Sequence, residues 1–277
     1  MAKGQIGPSC SSDVRPKFSA ECCANEGLSI NPRVEITTYV AMLDPQNAYS
    51  IISSYDIVLD CTDNLPSRYL LSDVTSALQK PLVSGAALKF DGQLCVYNLG
   101  EDGPCYRCLF PKPAPREGSG TCEGVGVLGV VTGIIGTLQA TEAIKIITGL
   151  HGTPSSYHGT RLGSLHRKIT DSRHSLLIYS ALASPPFRSM KLRSKRLDCL
   201  ACGVSDDADK KKILQTDYVA FCGGESEDWV TLGLRSIDTT HRISAVVGVR
   251  LRTRLPALIN IYLTYRIYQR SFKALTK

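Results

Sequence analysis

The stretch DIVLDCTDNLPSRYLLSDVTSAL at residues 56–78 gives the clearest indication of the fold. It opens with a short apolar run, Asp56–Asp60, bounded by turn residues, which is typical of a parallel strand buried on both faces. Pro66 suits the first turn of a helix, because its missing N–H would have no intrahelical partner there. The pattern that follows predicts a helix over 67–78. A strand that leads directly into a helix indicates an α/β fold.

Further predicted elements extend this unit into a mostly parallel, doubly wound sheet. In chain order they are strands over 33–43, 81–88 and 93–99, a helix over 127–148, and strands over 175–179 and 187–192. Asp91-Gly92 is expected to form a hairpin turn just before the third of these strands. Two loops are predicted, one dense in Pro, Gly and Ser at 111–126 and one inserted at 151–170.

The chain divides into three predicted regions. Residues 1–32 are rich in Ser, Cys and Gly, show weak periodicity and are poorly defined. Residues 33–204 contain the strands and helices above and form the predicted α/β core. Patterning degrades beyond this core, so 205–277 is interpreted as a remnant with a basic, unassigned tail. Its apolar stretch 255–272 fits a helix and a strand equally well.

Charge and cysteine content favour a cytosolic protein that binds neither nucleic acid nor membranes directly. Nine Lys or Arg and a single Asp follow Trp229, so the net charge of +7 belongs to the tail rather than to a patch on the body. Eleven cysteines, an odd number, fit reduced thiols, and no apolar signal sequence opens the chain. The longest uncharged run, Val125–Thr141, is too short to cross a bilayer.

Acidic and amide side chains follow the buried strand in the order Asp60-Cys61-Thr62-Asp63-Asn64. In open α/β sheets, ligands bind just outside the carboxyl ends of the strands. Two carboxylates and an amide there suit Mg²⁺ with phosphate oxygens, and Arg68, about one helical turn on, can offset phosphate charge. The alternative is a helix cap, in which Asp63 or Asn64 accepts hydrogen bonds from the first free N–H groups.

Two Cys-x-x-Cys pairs, Cys105 with Cys108 and Cys199 with Cys202, supply four thiols that suit a closed, structural Zn²⁺ site. The 90 residues between the pairs exceed the spacing of a zinc ribbon, which predicts a clamp between distant segments. Turn residues beside both pairs let the backbone wrap a metal. Unrelated buried thiols and a dithiol redox site are the alternatives.

A further cysteine, Cys122, lies in the Gly-rich stretch 118–124 ahead of the predicted helix over 127–148. A helix N-terminus favours the thiolate form, and a flexible loop lets the thiol move. Both properties suit a nucleophile that accepts an activated acyl group. An exposed, unreactive cysteine fits the spacing equally well.

Five motifs follow one another in the order of a known family: LDCTDNLPSRYLLSD, PLVSGAALKFDGQLCVY, GPCYRCLFPKP, TCEGVGVLGVVTGIIGTLQATEAIKIITG and FRSMKLRSKRLDCLACG. Together they resemble the adenylyltransferase-and-sulfurtransferase branch of the ubiquitin-activating-enzyme-like family, similar to molybdopterin-synthase adenylyltransferases and ThiF. The resemblance runs from about Val34 to Gly203 outside the 151–170 loop. It implies ATP-dependent adenylation of the C-terminal glycine of a ubiquitin-like sulfur carrier. Roles in tRNA wobble-uridine thiolation and molybdopterin synthesis are implied downstream.

The resemblance also implies a role for individual residues and a quaternary structure. Asp63 and Asn64 bind Mg·ATP, and Cys122 accepts the carrier as a thioester. Lys17, in the context Val14-Arg15-Pro16-Lys17, is the closest match to a lysine that contacts ATP. The implied zinc ligands are Cys105, Cys108, Cys199 and Cys202. A homodimer is implied as well, with the partner chain reaching into each ATP site.

The sequence departs from the family pattern at both ends. No Gly-rich strand–turn–helix precedes Lys17, so 1–32 is interpreted as a remnant of the nucleotide-binding half. No cysteine that could carry a persulfide follows Cys222, and an intact rhodanese-like domain is not expected. The chain alone is therefore expected to bind ATP weakly or not at all. The alternative function is a non-catalytic, zinc-stapled module that binds the carrier or a full-length partner, while a nicotinamide-dependent oxidoreductase is disfavoured.

Overall fold

The computed structural model describes most of the predicted core. The described residues are 25, 28–29, 31–32, 35–39, 43–113, 126–150, 174–203, 214–223 and 246–250. Several sequence-based predictions lie outside them, namely those on Lys17, Cys122, the loop 151–170 and the stretch 255–272.

Two compact units can be distinguished in the chain, and each is described by itself. The smaller unit consists of Met1–Leu43 and Glu227–Arg252. Its described part includes an antiparallel ribbon of β1 (Glu35–Tyr39) and β7 (Val246–Arg250). The ribbon confirms the strand predicted within 33–43. Strand β7 falls in the region for which the sequence predicts no element.

The larger unit is built around a mixed sheet of five strands. It comprises Asp44–Ser226 and Thr253–Lys277. Its described elements are α1 (Ala48–Ser53), β2 (Val58–Asp60), α2 (Leu65–Ala77), β3 (Leu82–Leu88), β4 (Asp91–Tyr97), α3 (Tyr106–Leu109), α4 (Gly129–Ile147), β5 (Ser175–Ser180), β6 (Phe187–Lys191) and α5 (Tyr218–Phe221). The strands lie side by side in chain order, from β2 to β6.

The α/β prediction is confirmed, but the described sheet is mixed rather than mostly parallel. Strand β2 is parallel to β3, whereas the pairs β3–β4, β4–β5 and β5–β6 are antiparallel. The physical reason lies in the connections. Helix α2 forms the crossover that makes β2 and β3 parallel, while the short connections from β3 to β4 and from β5 to β6 form antiparallel hairpins. The long connection from β4 to β5, which contains α3 and α4, also joins an antiparallel pair.

The predicted hairpin turn at Asp91-Gly92 is wrong by two residues. Asp91 begins β4 and pairs with Leu88, so the turn is formed by Lys89-Phe90. Lys89 adopts a φ of 51°, in the left-handed region that tight hairpin turns use at their first central residue. A non-glycine residue in that conformation is uncommon, which is why the adjacent Asp-Gly pair is the stronger sequence signal.

Helix α2 begins two residues before the predicted start at 67, because Asn64 caps it. Asn64 Oδ1 accepts a hydrogen bond from Ser67 N–H at 2.9 Å, and Pro66 follows in the first turn. All residues from Pro66 to Ser76 are buried, since α2 packs on β2, β3 and the other helices α1, α3 and α5. The helix is therefore the centre of the larger unit.

Helix α4 packs on the opposite face of the sheet from the α2 residue Arg68. Ser84 and Gly85 are neighbours on β3 and so point to opposite faces; Ser84 contacts the carboxylate that pairs with Arg68, while Gly85 meets α4. A Cβ at Gly85 would lie 2.4 Å from Gln139 Oε1, so glycine permits this close approach. By length and composition α4 could cross a membrane, and in this structure one side of it packs on β3 and β4.

Candidate metal centre and ligand-binding edge

Asp60, the last residue of β2, is fully buried and organises the carboxyl edge of the sheet. Its Oδ1 accepts hydrogen bonds from Thr62 N–H at 3.0 Å and from Thr62 Oγ1 at 2.5 Å. Its Oδ2 accepts a hydrogen bond from Ser84 Oγ at 2.7 Å and lies 3.3 Å from Arg68 Nε. A buried carboxylate requires such partners, because an uncompensated charge in the interior is costly.

Asp63 and Asn64 differ in how many hydrogen bonds their side-chain oxygens accept within the fold. Asn64 Oδ1 is the cap of α2, so the capping alternative is confirmed for this residue. Asp63 is exposed, and its carboxylate accepts only a long hydrogen bond in the described structure, from Asn64 Nδ2 at 3.5 Å. An exposed carboxylate at the carboxyl end of a strand is free to meet a cation or nucleotide. Binding of Mg·ATP by either residue stays a prediction.

Arg68 lies deeper than its predicted role requires. Its side chain is buried beside Asp60, and its Nη2 donates to the backbone oxygens of Thr62 at 2.9 Å and Gly85 at 3.2 Å. These contacts hold the turn after β2 against β3. The prediction that Arg68 offsets phosphate charge stays untested, but the structure gives its guanidinium a clear part in supporting the edge.

The four predicted metal ligands come together in one cluster. Their sulfur atoms all lie within 4.8 Å of one another. The Cys105 and Cys199 sulfurs are 3.5 Å apart, those of Cys108 and Cys202 are 3.3 Å apart, and those of Cys105 and Cys108 are 3.7 Å apart. Tetrahedral Zn²⁺ with bonds of about 2.3 Å would place its sulfurs roughly 3.8 Å apart. The cluster can therefore hold one metal ion.

Backbone turns at both pairs shape the cluster. Cys108 N–H donates to Cys105 O at 3.1 Å, and Gly203 N–H donates to Cys199 O at 2.8 Å. A Cβ at Gly203 would lie 2.5 Å from Cys199 O, so only glycine fits the second turn without displacement. Arg196 N–H also donates to Cys108 Sγ at 3.4 Å. Such donors stabilise a thiolate, which is the ligand form of cysteine.

A buried polar network joins the metal cluster to α2. Arg107, which lies between two of the cysteines, makes a bidentate pair with Asp73, with two hydrogen bonds of 2.8 Å. Tyr218 OH donates to the same carboxylate at 2.9 Å. The guanidinium carbon lies 4.4 Å from the centre of the Phe221 ring and 5.1 Å from that of Tyr69. Burial raises the pKa of Asp73, and the bonds from Arg107 and Tyr218 act against that rise.

Comparison with known proteins identifies the family. Residues 12–201 match the ThiF family, a range that covers more than half of the chain. This chain belongs to the ThiF family. The resemblance to adenylyltransferase-and-sulfurtransferase proteins is likewise confirmed, because relatives with that name are more than 40% identical to it.

Three such relatives illustrate how much of the ThiF-family chain is shared. Adenylyltransferase and sulfurtransferase MOCS3 of Drosophila grimshawi is 46% identical over 202 residues, which cover 73% of this chain and 40% of the relative. The Xenopus laevis protein of the same name is 44% identical over 222 residues, which cover 80% of this chain and 44% of the relative. Adenylyltransferase and sulfurtransferase uba4 of Aspergillus clavatus is 44% identical over 216 residues, which cover 75% of this chain and 41% of the relative. The chain thus spans less than half the length of these relatives.

The ThiF-family chain contains a buried polar network that the sequence did not predict. The network of Arg107, Asp73 and Tyr218 joins three segments that are far apart in sequence, and Tyr218 lies in the region interpreted as a remnant. One sequence signal could have indicated the ion pair of this network: Asp73 and Arg107 are charged residues on two otherwise apolar segments that are expected to be buried. The four-cysteine cluster, by contrast, was visible from spacing alone.

Proposed function

We propose that this chain activates the C-terminal glycine of a ubiquitin-like sulfur carrier by adenylation with ATP. The observation that carries the proposal is the exposed Asp63 carboxylate at the carboxyl end of β2, next to the Asn64 cap of α2. Ligands of open α/β sheets bind at this position. Membership of the ThiF family and relatives named adenylyltransferase and sulfurtransferase support the same class of reaction.

Asp63 and Asn64 are proposed to hold Mg²⁺ together with oxygens of ATP. Magnesium usually keeps several waters and takes one or two carboxylates with phosphate oxygens, so an exposed carboxylate beside an amide fits it. The ion would supply positive charge that offsets the triphosphate. The part of the two residues is to hold and orient the nucleotide, so that the carrier's carboxylate can attack the α-phosphorus and release pyrophosphate.

The four-cysteine cluster is proposed to bind Zn²⁺ in a structural role. Four thiolates leave no open coordination position for a substrate, as is typical of structural zinc sites. The cluster joins the segment after β4 to the segment after β6, and Arg107 connects it to α2. Zinc would therefore hold these segments of the larger unit together rather than take part in the chemistry.

Cys122 is proposed as the thiol that accepts the carrier after adenylation. Its sulfur would attack the carbonyl carbon of the acyl adenylate, forming a thioester while the bond to AMP breaks and the thiol proton passes to solvent. The segment after it is anchored, because Lys89 N–H donates to Gly126 O at 3.0 Å and Leu128 N–H donates to Lys89 O at 2.8 Å. Later sulfur transfer from a persulfide would yield a thiocarboxylate for tRNA wobble-uridine thiolation and molybdopterin synthesis.

We further propose a cytosolic homodimer. The dimer rests on the family resemblance, in which the partner chain completes each ATP site. The location is supported by the state of the cysteines, since the seven described ones are free thiols and four of them form a cluster suited to metal. Reducing compartments keep such thiols available to a metal.

Carrier-dependent exchange between ATP and radioactive pyrophosphate tests the proposed activity on the full chain. We expect slow exchange that requires Mg²⁺ and the carrier. Asp63→Asn should reduce it about tenfold or more, because the change removes the charge that would hold the ion. Asp91→Asn alters another exposed carboxylate, at the start of β4, and should leave the rate within about twofold. Equal rates for the two variants would refute the assignment of Asp63.

The second candidate function is a non-catalytic, zinc-stapled binding module. It is favoured by one observation: residues 1–57, ahead of β2, contain no G-x-G-x-x-G, and the one match in the chain, at 124–129, does not follow a predicted strand. Such a loop provides backbone N–H groups and close approach for the phosphates of a nucleotide. A chain that binds the carrier in a pull-down but shows no pyrophosphate exchange above background would support the module over the enzyme.

A further inference from the structure

In the turn after β2, Thr62 is hydrogen-bonded through its N–H, its hydroxyl and its carbonyl group. Its N–H and its hydroxyl both donate to Asp60 Oδ1, at 3.0 Å and 2.5 Å. Its backbone carbonyl accepts a hydrogen bond from Arg68 Nη2 at 2.9 Å. Every backbone polar group of this residue is therefore bonded to a charged side chain, and bonds to charged groups are the stronger kind.

The acceptor of these bonds is itself fixed. The Asp60 carboxylate is fully buried, and its second oxygen contacts Ser84 and Arg68. The backbone carbonyl of Asp60 accepts a hydrogen bond from Gln139 Nε2 at 2.8 Å, and the same amide nitrogen lies 3.2 Å from Val83 O. Strand β3 and helix α4 thus hold the residue from which the turn starts.

Asp63 is the next residue, and it has the opposite character. It is exposed, while Asn64 beyond it is held as the cap of α2. Because both neighbours are immobilised, the backbone from which this carboxylate projects is fixed, while the carboxylate itself accepts only the long hydrogen bond from Asn64 in the described structure. Preorganisation of this kind improves ligand binding, because less conformational freedom is lost when the ligand arrives.

We propose that Asp60 and Thr62 are positioning residues that aim the Asp63 carboxylate at the metal ion of the nucleotide. This inference rests on the proposed function, since it assumes that Asp63 meets that ion. It assigns Asp60 a role different from that expected of the acidic edge, in which both carboxylates approach the ligand directly. It also gives Arg68 an indirect part, through Thr62 and Asp60 rather than through phosphate.

The test compares three variants of the full chain that alter bonds around the same buried carboxylate. Thr62→Val removes the hydroxyl donor and keeps the side-chain shape, while Thr62→Ser keeps the hydroxyl. Ser84→Ala removes the comparable bond to Asp60 Oδ2, the oxygen to which Thr62 does not donate. A merely structural role predicts similar behaviour for Thr62→Val and Ser84→Ala, because each loses one hydrogen bond to Asp60.

The readout is binding of Mn²⁺·ATP, measured from the loss of the electron paramagnetic resonance signal of free Mn²⁺, which remains usable for weak sites. We expect Thr62→Val to raise the dissociation constant on the order of fivefold, with Thr62→Ser and Ser84→Ala within about twofold of the parent chain. Equal effects of Thr62→Val and Ser84→Ala, or no effect of either, would overturn the inference.

An Asp63→Ala variant separates this outcome from failure of the proposed function. If Asp63→Ala weakens Mn²⁺·ATP binding but Thr62→Val does not, the nucleotide edge stands and the positioning role is refuted. If Asp63→Ala binds Mn²⁺·ATP as the parent chain does, the proposed metal contact is refuted, and the positioning role falls with it. Urea unfolding of each variant identifies any that lose binding because they unfold.

Discussion

Replacing Arg107 with Met should strongly destabilise the larger unit. The guanidinium makes two 2.8 Å hydrogen bonds to Asp73, and the side chains of the pair are 5% and 0% exposed. Removing one partner of a buried ion pair costs about 3–5 kcal/mol, because the other charge stays buried without compensation. Domains of this size are typically stable by about 5–15 kcal/mol, so the loss would be a large fraction of the total.

A matched control is provided by Arg196, which pairs with Asp198 at 2.6 Å, with side chains that are 47% and 72% exposed. Solvent screens the charges of such an exposed pair, so Arg196→Met should have little effect on stability. Both variants would be compared by urea unfolding at equal zinc content, because Arg107 lies between two cysteines of the cluster. A difference of less than about 1 kcal/mol between them would refute the reasoning.

The same variant should show a pH dependence with a defined sign. Burial already raises the pKa of Asp73, and loss of Arg107 removes the cation that opposes the rise. A higher folded-state pKa means that protonation favours the folded form, so the deficit of Arg107→Met should be smaller near about pH 5 than near about pH 8. Urea midpoints at the two pH values measure this. A deficit that grows as the pH falls would contradict the assignment.

Four further predictions follow from the cluster, the core and the proposed reaction. Elemental analysis should find one zinc per chain, and Cys199→Ser should lose it and unfold more readily, whereas Cys222→Ser, outside the cluster, should retain it. A chain ending at residue 204 should be less stable by a few kcal/mol than one ending at 226, because it lacks the buried Tyr218 and its bond to Asp73. Calorimetry should show weak binding of Mg·ATP to the chain alone, because no Gly-rich strand–turn–helix precedes Lys17, and tight binding would contradict that interpretation. Cys122→Ala should keep carrier-dependent pyrophosphate exchange but lose the thioester seen on non-reducing gels, and an undiminished thioester would make that thiol a bystander.

Predictions that rested on local pattern agree best with the structure. The strand β2 and the helix α2 lie within two residues of their predicted positions, since an apolar run, a cap and a proline act within a few neighbouring residues. Helix α4 and strands β5 and β6 follow in the same way. The cysteine cluster was predictable because two Cys-x-x-Cys pairs are a typical sequence pattern of metal sites. The roles of Lys17 and Cys122 stay predictions.

The errors and omissions mostly concern contacts between distant segments. Strand direction depends on how each connection runs, and the position of the hairpin turn depended on Lys89 accepting a left-handed conformation. Asp60 and Asp63 are equivalent in the sequence pattern, yet Asp60 is buried and Asp63 is exposed. The difference arises because β3 and α4 pack against Asp60. The sequence by itself determined most elements of the larger unit, the cysteine cluster and the family. Tertiary structure decided the direction of the strands and the partner of each charge, since burial is a property of the neighbours that folding brings together.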